Sequence, residues 1–506
     1  MEKAKLKFTI ENLGKIKHAE IELNKMTTII GQNSTSKTYL NYMIYGFLHY
    51  LLQVNSYFYF LGVEKKERKP SYERLKRLGI QEPEILNIIE DKIMDYIQSD
   101  TLIFQIDFSL FASKVSTFLN SIAMFYSKIF STHEIGFSLT CIPRLSVELD
   151  NHASFESLPL GGIYKKNIKF TKPKNSLIVD FNFSNSYSNF TQTTISDVVG
   201  ELVTGIIRSY FNIILPNPYI ICSERAAISV FYGNIKNLAN TIQRSKFDNN
   251  SVQYVANKIL RHEDDFEKTS IQAFEGLYQQ AMLDNITFFD DSLKDLKIHN
   301  VHSIFNDKQD KEIYNFIQKM GDGKYKVKKI ADDENKLLYE VKNVGELEIN
   351  AASSSIKSLY MLDAYIKKFA QKGDLLIIDE PELNLHPSNQ RKIARLLAML
   401  ANNGIQIMFT THSDYIMNEF NNLTELSSLS ENSIVEICSN HKLSRAAVLS
   451  HEDINPYVTR KAKSTVELKK CKKKNFRFIY EDFDKEIIDF AKFAKEIRGY
   501  SNESNV

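Results

Sequence analysis

Apolar and polar positions alternate through the first thirty residues. KLKFTIENL, HAEIELN and KMTTIIG read as three short strands separated by turn residues at Gly14 and Asn24-Lys25. An antiparallel opening is expected, with the third strand entering Gly31. The pattern turns helical over about 65 to 150, including an amphipathic piece near Glu84 to Tyr96, and strand-like at SLIVDFNFS. A second helical tract is expected over about 196 to 320, without the sustained heptads of a long coiled-coil arm. Strands return at KYKVKKIA, LLYEVKN and ELEINA. They are followed by a helix at Ser354 to Phe369, a strand at Asp374 to Asp379, a helix near Asn389 to Asn402 and a strand at Ile405 to Thr410. The lysine-rich Arg460 to Lys474 reads as a solvated tail, contact with DNA or an acidic partner being the alternative, with an acidic run at Glu481 to Asp484.

The longest apolar stretch, Tyr39 to Val63, has the length of a membrane span. It carries Asn41, His49, Gln53, Asn55 and Ser56, so a buried helix is expected and no membrane association. The N-terminus lacks the apolar core and small-residue cleavage site of a secretion signal, which makes a cytoplasmic location the expectation. At 506 residues, 43% apolar and 25% charged, the composition is that of a globular chain of several lobes. A net charge of +2 does not call for a polyanionic partner. Four scattered cysteines (Cys141, Cys222, Cys438, Cys471) suggest neither a disulfide framework nor a zinc site.

Two motifs carry chemistry. The first is GQNSTSKT, Gly31 to Thr38, between a strand and a helix. In a phosphate loop the backbone N–H groups wrap phosphates, Lys37 reaches the terminal phosphates and Thr38 holds Mg²⁺. Ser36 stands where a glycine usually precedes the lysine, and a serine at positive φ costs about 1 kcal/mol there. The second motif is LLIIDE, four aliphatics ending in Asp379-Glu380. A buried parallel strand would deliver both carboxylates to its C-terminal edge, Asp379 to order Mg²⁺ through water and Glu380 to polarise the attacking water.

The continuation DEPELNLHP, followed by TTHS at Thr410 to Ser413, resembles the ABC-type ATPases related to RecF, the chromosome-maintenance (SMC) ATPases and the overcoming-lysogenization-defect proteins. The resemblance covers about 1–60 and 330–425. It implies that His412 contacts the γ-phosphate. It also implies that Ser353, within Ala352 to Ser358, is the signature serine, binding with Ser354 and Ser355 the nucleotide of an opposing protomer. Ser355 again replaces a glycine, and the three serines also suit a helix cap. Ser223 to Ile228, SERAAI, is similar to a segment with a fixed arginine in defence-associated members, which makes Arg225 a candidate for nucleotide contact or relay; a core ion pair is the alternative.

The fold the resemblance implies is α/β: an ABC-type P-loop NTPase head with an antiparallel β subdomain and a large, mainly helical inserted lobe. The expected divisions are 1–64 for the first part of the head, 65–325 for the insertion, 326–450 for the second part of the head and 451–506 for a tail available to partners. Gly31, Asn33, Ser34, Thr35, Ser36, Lys37 and Thr38 would bind ATP, Thr38 and Asp379 would serve Mg²⁺, and Glu380 and His412 would act in hydrolysis. One set of motifs per chain implies a homodimer or a multiple of it. The likeness to ATPase subunits of the Septu and PARIS antiphage systems suggests a sensor controlling a separate effector, such as a nuclease, with DNA or a phage protein as trigger. A RecF-like DNA-binding repair ATPase and a low-turnover ATP-binding scaffold are the alternatives. Tyr480 to Asp484 lacks the companion elements of a fused nuclease, and no glutamine stands out as the one that usually links the inserted lobe to Mg²⁺.

Overall fold

The computed structural model describes residues 6–52, 102–107, 144–149, 168–171, 176–181, 215–245, 280–294, 303–305, 311–331, 334–462, 464–480, 489 and 492–496. Its frame is a nine-stranded sheet in the order β5-β1-β2-β15-β14-β3-β13-β12-β8. The members are β1 (Leu6–Leu13), β2 (Ile16–Glu22), β3 (Met26–Gly31), β5 (Arg144–Leu149), β8 (Asn217–Ile221), β12 (Asp374–Asp379), β13 (Gln406–Thr411), β14 (Ile454–Ala462) and β15 (Thr465–Lys470). The fold class is the α/β head expected from the sequence.

Five strands, β14, β3, β13, β12 and β8, run parallel to one another. Their C-terminal ends therefore lie on one edge, which receives Gly31, Asp379, Thr411 and Ile221. In open parallel sheets this is the edge where ligands bind. β1 and β2 form the expected antiparallel hairpin, and β5 extends it on the far side. β3 departs from the expected opening. It does not pair with β2, and all six of its residues are buried, because it has a parallel neighbour on each side and is covered on both faces. Its buried Thr27 finds a partner locally, accepting from the Asn24 amide at 3.0 Å.

The reading of Arg460 to Lys474 as a solvated tail does not hold. β14 and β15 lie in the middle of the sheet, between β3 and β2. β14 is buried from Ile454 to Thr459 and turns polar only at its end, where Lys461 is exposed, while β15 buries Val466 and exposes Lys469 and Lys470. A charge count over the segment misses the buried run that leads into it. Two strands, β4 (Leu102–Asp107) and β5, also fall in the stretch expected to be helical; β4 pairs with β7 (Ser176–Phe181), which in turn pairs with β6 (Ile168–Thr171). Of the helical tracts expected over about 65–150 and 196–320, the parts at 65–101, with the amphipathic piece Glu84 to Tyr96, 108–143, 196–214 and 246–279 lie outside the described residues.

Helix α1 (Lys37–Leu52) leaves the loop after β3 and packs over β8, β12 and β13. No helix among the described residues is long and apolar enough to cross a membrane; the rest of the apolar stretch, 53–63, lies outside them. Helices α2 (Arg225–Ser245), α3 (Gln280–Leu293), α4 (Lys311–Gly321), α5 (Ser354–Ala364), α6 (Pro387–Asn402) and α7 (Asp414–Leu426) follow. Alternation along β12 sends Leu376 and Ile378 into the large core built with α5, α6 and α7. Ile377 and Asp379 face α1. Between α6 and α7 the buried Glu419 accepts from Arg391 at 2.7 Å and Arg395 at 2.5 Å, which compensates a carboxylate only 3% exposed. The three-stranded sheet β9 (Gly323–Ala331), β10 (Glu334–Val341) and β11 (Gly345–Glu348) precedes α5, matching the strands expected there.

Candidate functional site

Gly31 closes β3 because no other residue fits. A Cβ at this position would lie 1.9 Å from the Thr459 hydroxyl of β14, and φ is +155°. The chain then turns through Gln32 to Ser36 and enters α1. Ser34 and Ser36 both adopt left-handed backbone, φ +61° and +62°, the conformation that glycine takes without strain. Ser36→Gly should therefore raise folding stability by about 1 kcal/mol. A denaturant midpoint that falls or stays fixed would contradict this reading of the loop.

Lys37 is 5% exposed, and its ammonium donates to the carbonyls of Gly31 at 3.0 Å and Gln32 at 2.8 Å. Burial lowers its pKa to about 8, against the pull of Glu380, Asp379 and Glu382. Polyphosphate beside it would favour the charged form and return the pKa toward 10.5. The complex then binds more protons than the free chain between about pH 8 and 10.5, so ATP affinity should fall as pH rises through that window and stay level just below it. Nucleotide titrations at stepped pH check this, and an affinity that rises above about pH 8 would exclude it.

Thr38 donates from its hydroxyl to Asp379 Oδ2 at 2.8 Å, which joins the first turn of α1 to the end of β12. Thr410 on β13 donates to the other oxygen of Asp379 and accepts from the Glu380 amide at 3.1 Å. Asp379 is 1% exposed; burial raises its pKa, and the two hydroxyls oppose that. Glu380 follows in left-handed backbone, φ +48°, and turns its carboxylate to His412 Nε2 at 3.2 Å. That hydrogen bond lowers the Glu380 pKa, with burial opposing. Glu380 is thus an ionised carboxylate at neutral pH, as activating a water requires.

Arg225 lies beneath this turn and is 2% exposed. Among the described residues it forms no ion pair, the alternative the sequence offered. Its guanidinium donates to four backbone carbonyls: Cys222 at 3.0 Å, Ser358 at 3.1 Å, Asp379 at 2.8 Å and Glu380 at 2.6 Å. Burial lowers its pKa, yet a guanidinium stays charged. One side chain so ties the end of β8, helix α5 and the acidic turn together.

Ser353 caps α5, its hydroxyl accepting from the Ile356 amide at 3.4 Å and lying 2.9 Å from Ser355 Oγ. Ser353 and Ser354 are exposed, and no hydrogen bond among the described residues joins them to the phosphate loop. Asn33 and Ser34 are exposed at the loop apex. Thr35 turns inward to Gln32 O and Thr459 Oγ1, both at 2.8 Å, which leaves its amide as the group available to a phosphate. Sequence reasoning missed Thr410, Thr459 and Glu382. The signal for the first lay in TTHS, where alternation on β13 puts Thr410 on the same face as Asp379.

These elements define a P-loop nucleoside triphosphatase head. The chain belongs to the family described as AAA ATPase domain, whose profile matches residues 6–417. No curated protein matches the sequence. Similar solved structures include an SMC head bound to the C-terminal winged-helix domain of ScpA, at 11% identity over 93% of this chain and 98% of that one, TM-score 0.34. Two others are an Smc head with an extended coiled coil bound to the C-terminal domain of ScpA from Pyrococcus furiosus, at 13% identity over 98% and 100%, TM-score 0.31, and the SMC head domain from Thermotoga maritima, at 9% identity over 93% and 100%, TM-score 0.29.

Proposed function

We propose that two copies of this chain close over ATP and Mg²⁺, hydrolyse the nucleotide, and use the closure to control a separate effector. The observation that carries the reading is the convergence on one sheet edge of Thr38 with Asp379, at 2.8 Å, and of Glu380 with His412, at 3.2 Å. The donor set fits the implied group: a hydroxyl and a carboxylate are hard oxygen ligands suited to Mg²⁺, and a buried lysine beside a strand-to-helix loop suits a polyphosphate. When bound, Mg²⁺ neutralises charge on the phosphate oxygens. Lys37 and the loop amides orient the phosphates, Glu380 takes the proton of the attacking water, and His412 donates toward the terminal phosphate.

Ser353 and Ser354, exposed at the start of an 11-residue helix, would complete the site of a second copy rather than their own. Mixing Lys37→Ala with Ser353→Arg tests this. Each variant alone should be inactive. The mixture should recover about a quarter of wild-type turnover, because random pairing makes half the dimers mixed and each mixed dimer keeps one intact site of two. A mixture as inactive as its components rules out the shared site.

The likeness of GQNSTSKTYLNYMIYGF, SERAAI and DEPELNLHP to subunits of the Septu and PARIS systems supports antiphage defence, with a nuclease as the effector and DNA or a phage protein as trigger. A second reading, direct clamping of DNA in the RecF manner, draws on the exposed lysines of β15 and of β16 (Lys472–Lys474).

A further inference from the structure

We propose that Glu382 is a positioning residue that fixes the His412 loop against Glu380, so that the two halves of the pair, carried on different strands, are held as one unit. Its functional meaning rests on the ATPase reading above; its structural content does not. In the run Asp379-Glu380-Pro381-Glu382, the buried proline separates two carboxylates that serve different surroundings. Glu380 keeps a 28% exposed side chain and meets the His412 imidazole. Glu382 turns away, and its Oε1 accepts both the Thr411 hydroxyl at 2.9 Å and the His412 backbone amide at 2.6 Å.

β13 ends at Thr411, so the His412 amide lies beyond the strand. A partly buried N–H in that position calls for another acceptor, and a carboxylate supplies a charge-assisted bond. The same side chain therefore terminates β13 and sets where the next residue leaves it. The second oxygen of Glu382 is enclosed without a donor. Burial raises the pKa of this carboxyl, the His412 amide opposing. An enclosed oxygen of this kind is costly, and an apolar side chain would fill the space at lower cost. The two bonds to the histidine loop are what the carboxylate provides in return. Without them Thr411 and His412 lose a shared acceptor, and the 3.2 Å contact between imidazole and Glu380 has no fixed base. A misplacement of about 1 Å in such a site costs up to about 10²-fold in rate.

Glutamine is the informative replacement. It keeps an acceptor for both donors and exchanges only the enclosed oxygen for an amide nitrogen. In the full chain with ¹⁵N-labelled histidine, the His412 imidazole signal, identified by its loss in His412→Gln, should move in Glu382→Ala and stay in place in Glu382→Gln. Turnover should fall by about 10- to 100-fold in Glu382→Ala with KM within about twofold, and stay within about threefold of wild type in Glu382→Gln. An unmoved His412 signal in Glu382→Ala overturns the proposal, as does a glutamine variant as impaired as the alanine one. Should Glu382→Ala not fold, Glu382→Asp, which withdraws the acceptor by one methylene, takes its place under the same criterion. If the wild-type chain hydrolyses no ATP, the ATPase reading fails and the imidazole signal still decides the role of Glu382.

Discussion

Glu380→Gln is expected to lower ATP turnover by about 10³-fold while nucleotide affinity stays close to wild type, because the carboxylate acts on the water rather than holding the phosphates. The geometry explains why the loss should be this large. Glu380 is anchored on both sides: its amide donates to Thr410, its carbonyl accepts from Arg225, and its carboxylate meets His412. A glutamine in that frame keeps the shape and loses the base. With hydrolysis removed, the ATP-closed form should accumulate, visible as a mass in ATP of at least two copies. Turnover within about tenfold of wild type would mean that another group takes the proton, and Glu380 would lose its assigned role.

The second large effect is expected at Arg225. Arg225→Ala would leave the carbonyls of Cys222, Ser358, Asp379 and Glu380 without their donor inside the protein, at about 1 kcal/mol or more each, for a loss of about 4 kcal/mol or more. That is a large share of the stability of an ordinary domain. Arg225→Lys should recover only part of it, since one ammonium cannot span carbonyls that come from β8, α5 and β12. Denaturant unfolding measures the loss, and turnover at a temperature where the variant remains folded measures the catalytic share. A loss under about 1 kcal/mol would show that water replaces the guanidinium without strain, and Arg225 would not be a structural tie.

Particular residues show what could be read ahead of the structure. Asp379 and Glu380 were legible because a parallel strand covered on both faces must be aliphatic throughout, so LLII running into two adjacent carboxylates marks the point where such a strand leaves the core. The loop was legible from GQNSTSKT, and the positive φ of Ser36 bears out the concern its serine raised. β14 was not legible. INPYVTRKA contains a proline and has two adjacent cations near its end, yet Pro456 pairs opposite Thr28 in the centre of the sheet. A parallel partner more than 400 residues upstream leaves no local signature. Arg225 was picked out by likeness, but apart from the nearby Cys222 the carbonyls it holds come from two distant segments, and its clamp on them involves no side chain that a motif could reveal. The division of work between Glu380 and Glu382 was hidden for the same reason, since both are acidic letters in one turn.

The placement of β14 has a consequence for the order in which the molecule comes into being. Thr459 donates to Ile30 O at 3.2 Å and lies 2.8 Å from Thr35, so the wall behind the phosphate loop is made 424 residues after the loop itself. A chain leaving the ribosome carries its phosphate loop from the outset, with β3 lacking both of its neighbours until β13 and then β14 have been synthesised. On the proposed ATPase reading, competence to hold ATP should therefore be reserved for chains read through to β14, and a polypeptide interrupted between β3 and β12 should have the motif without the site.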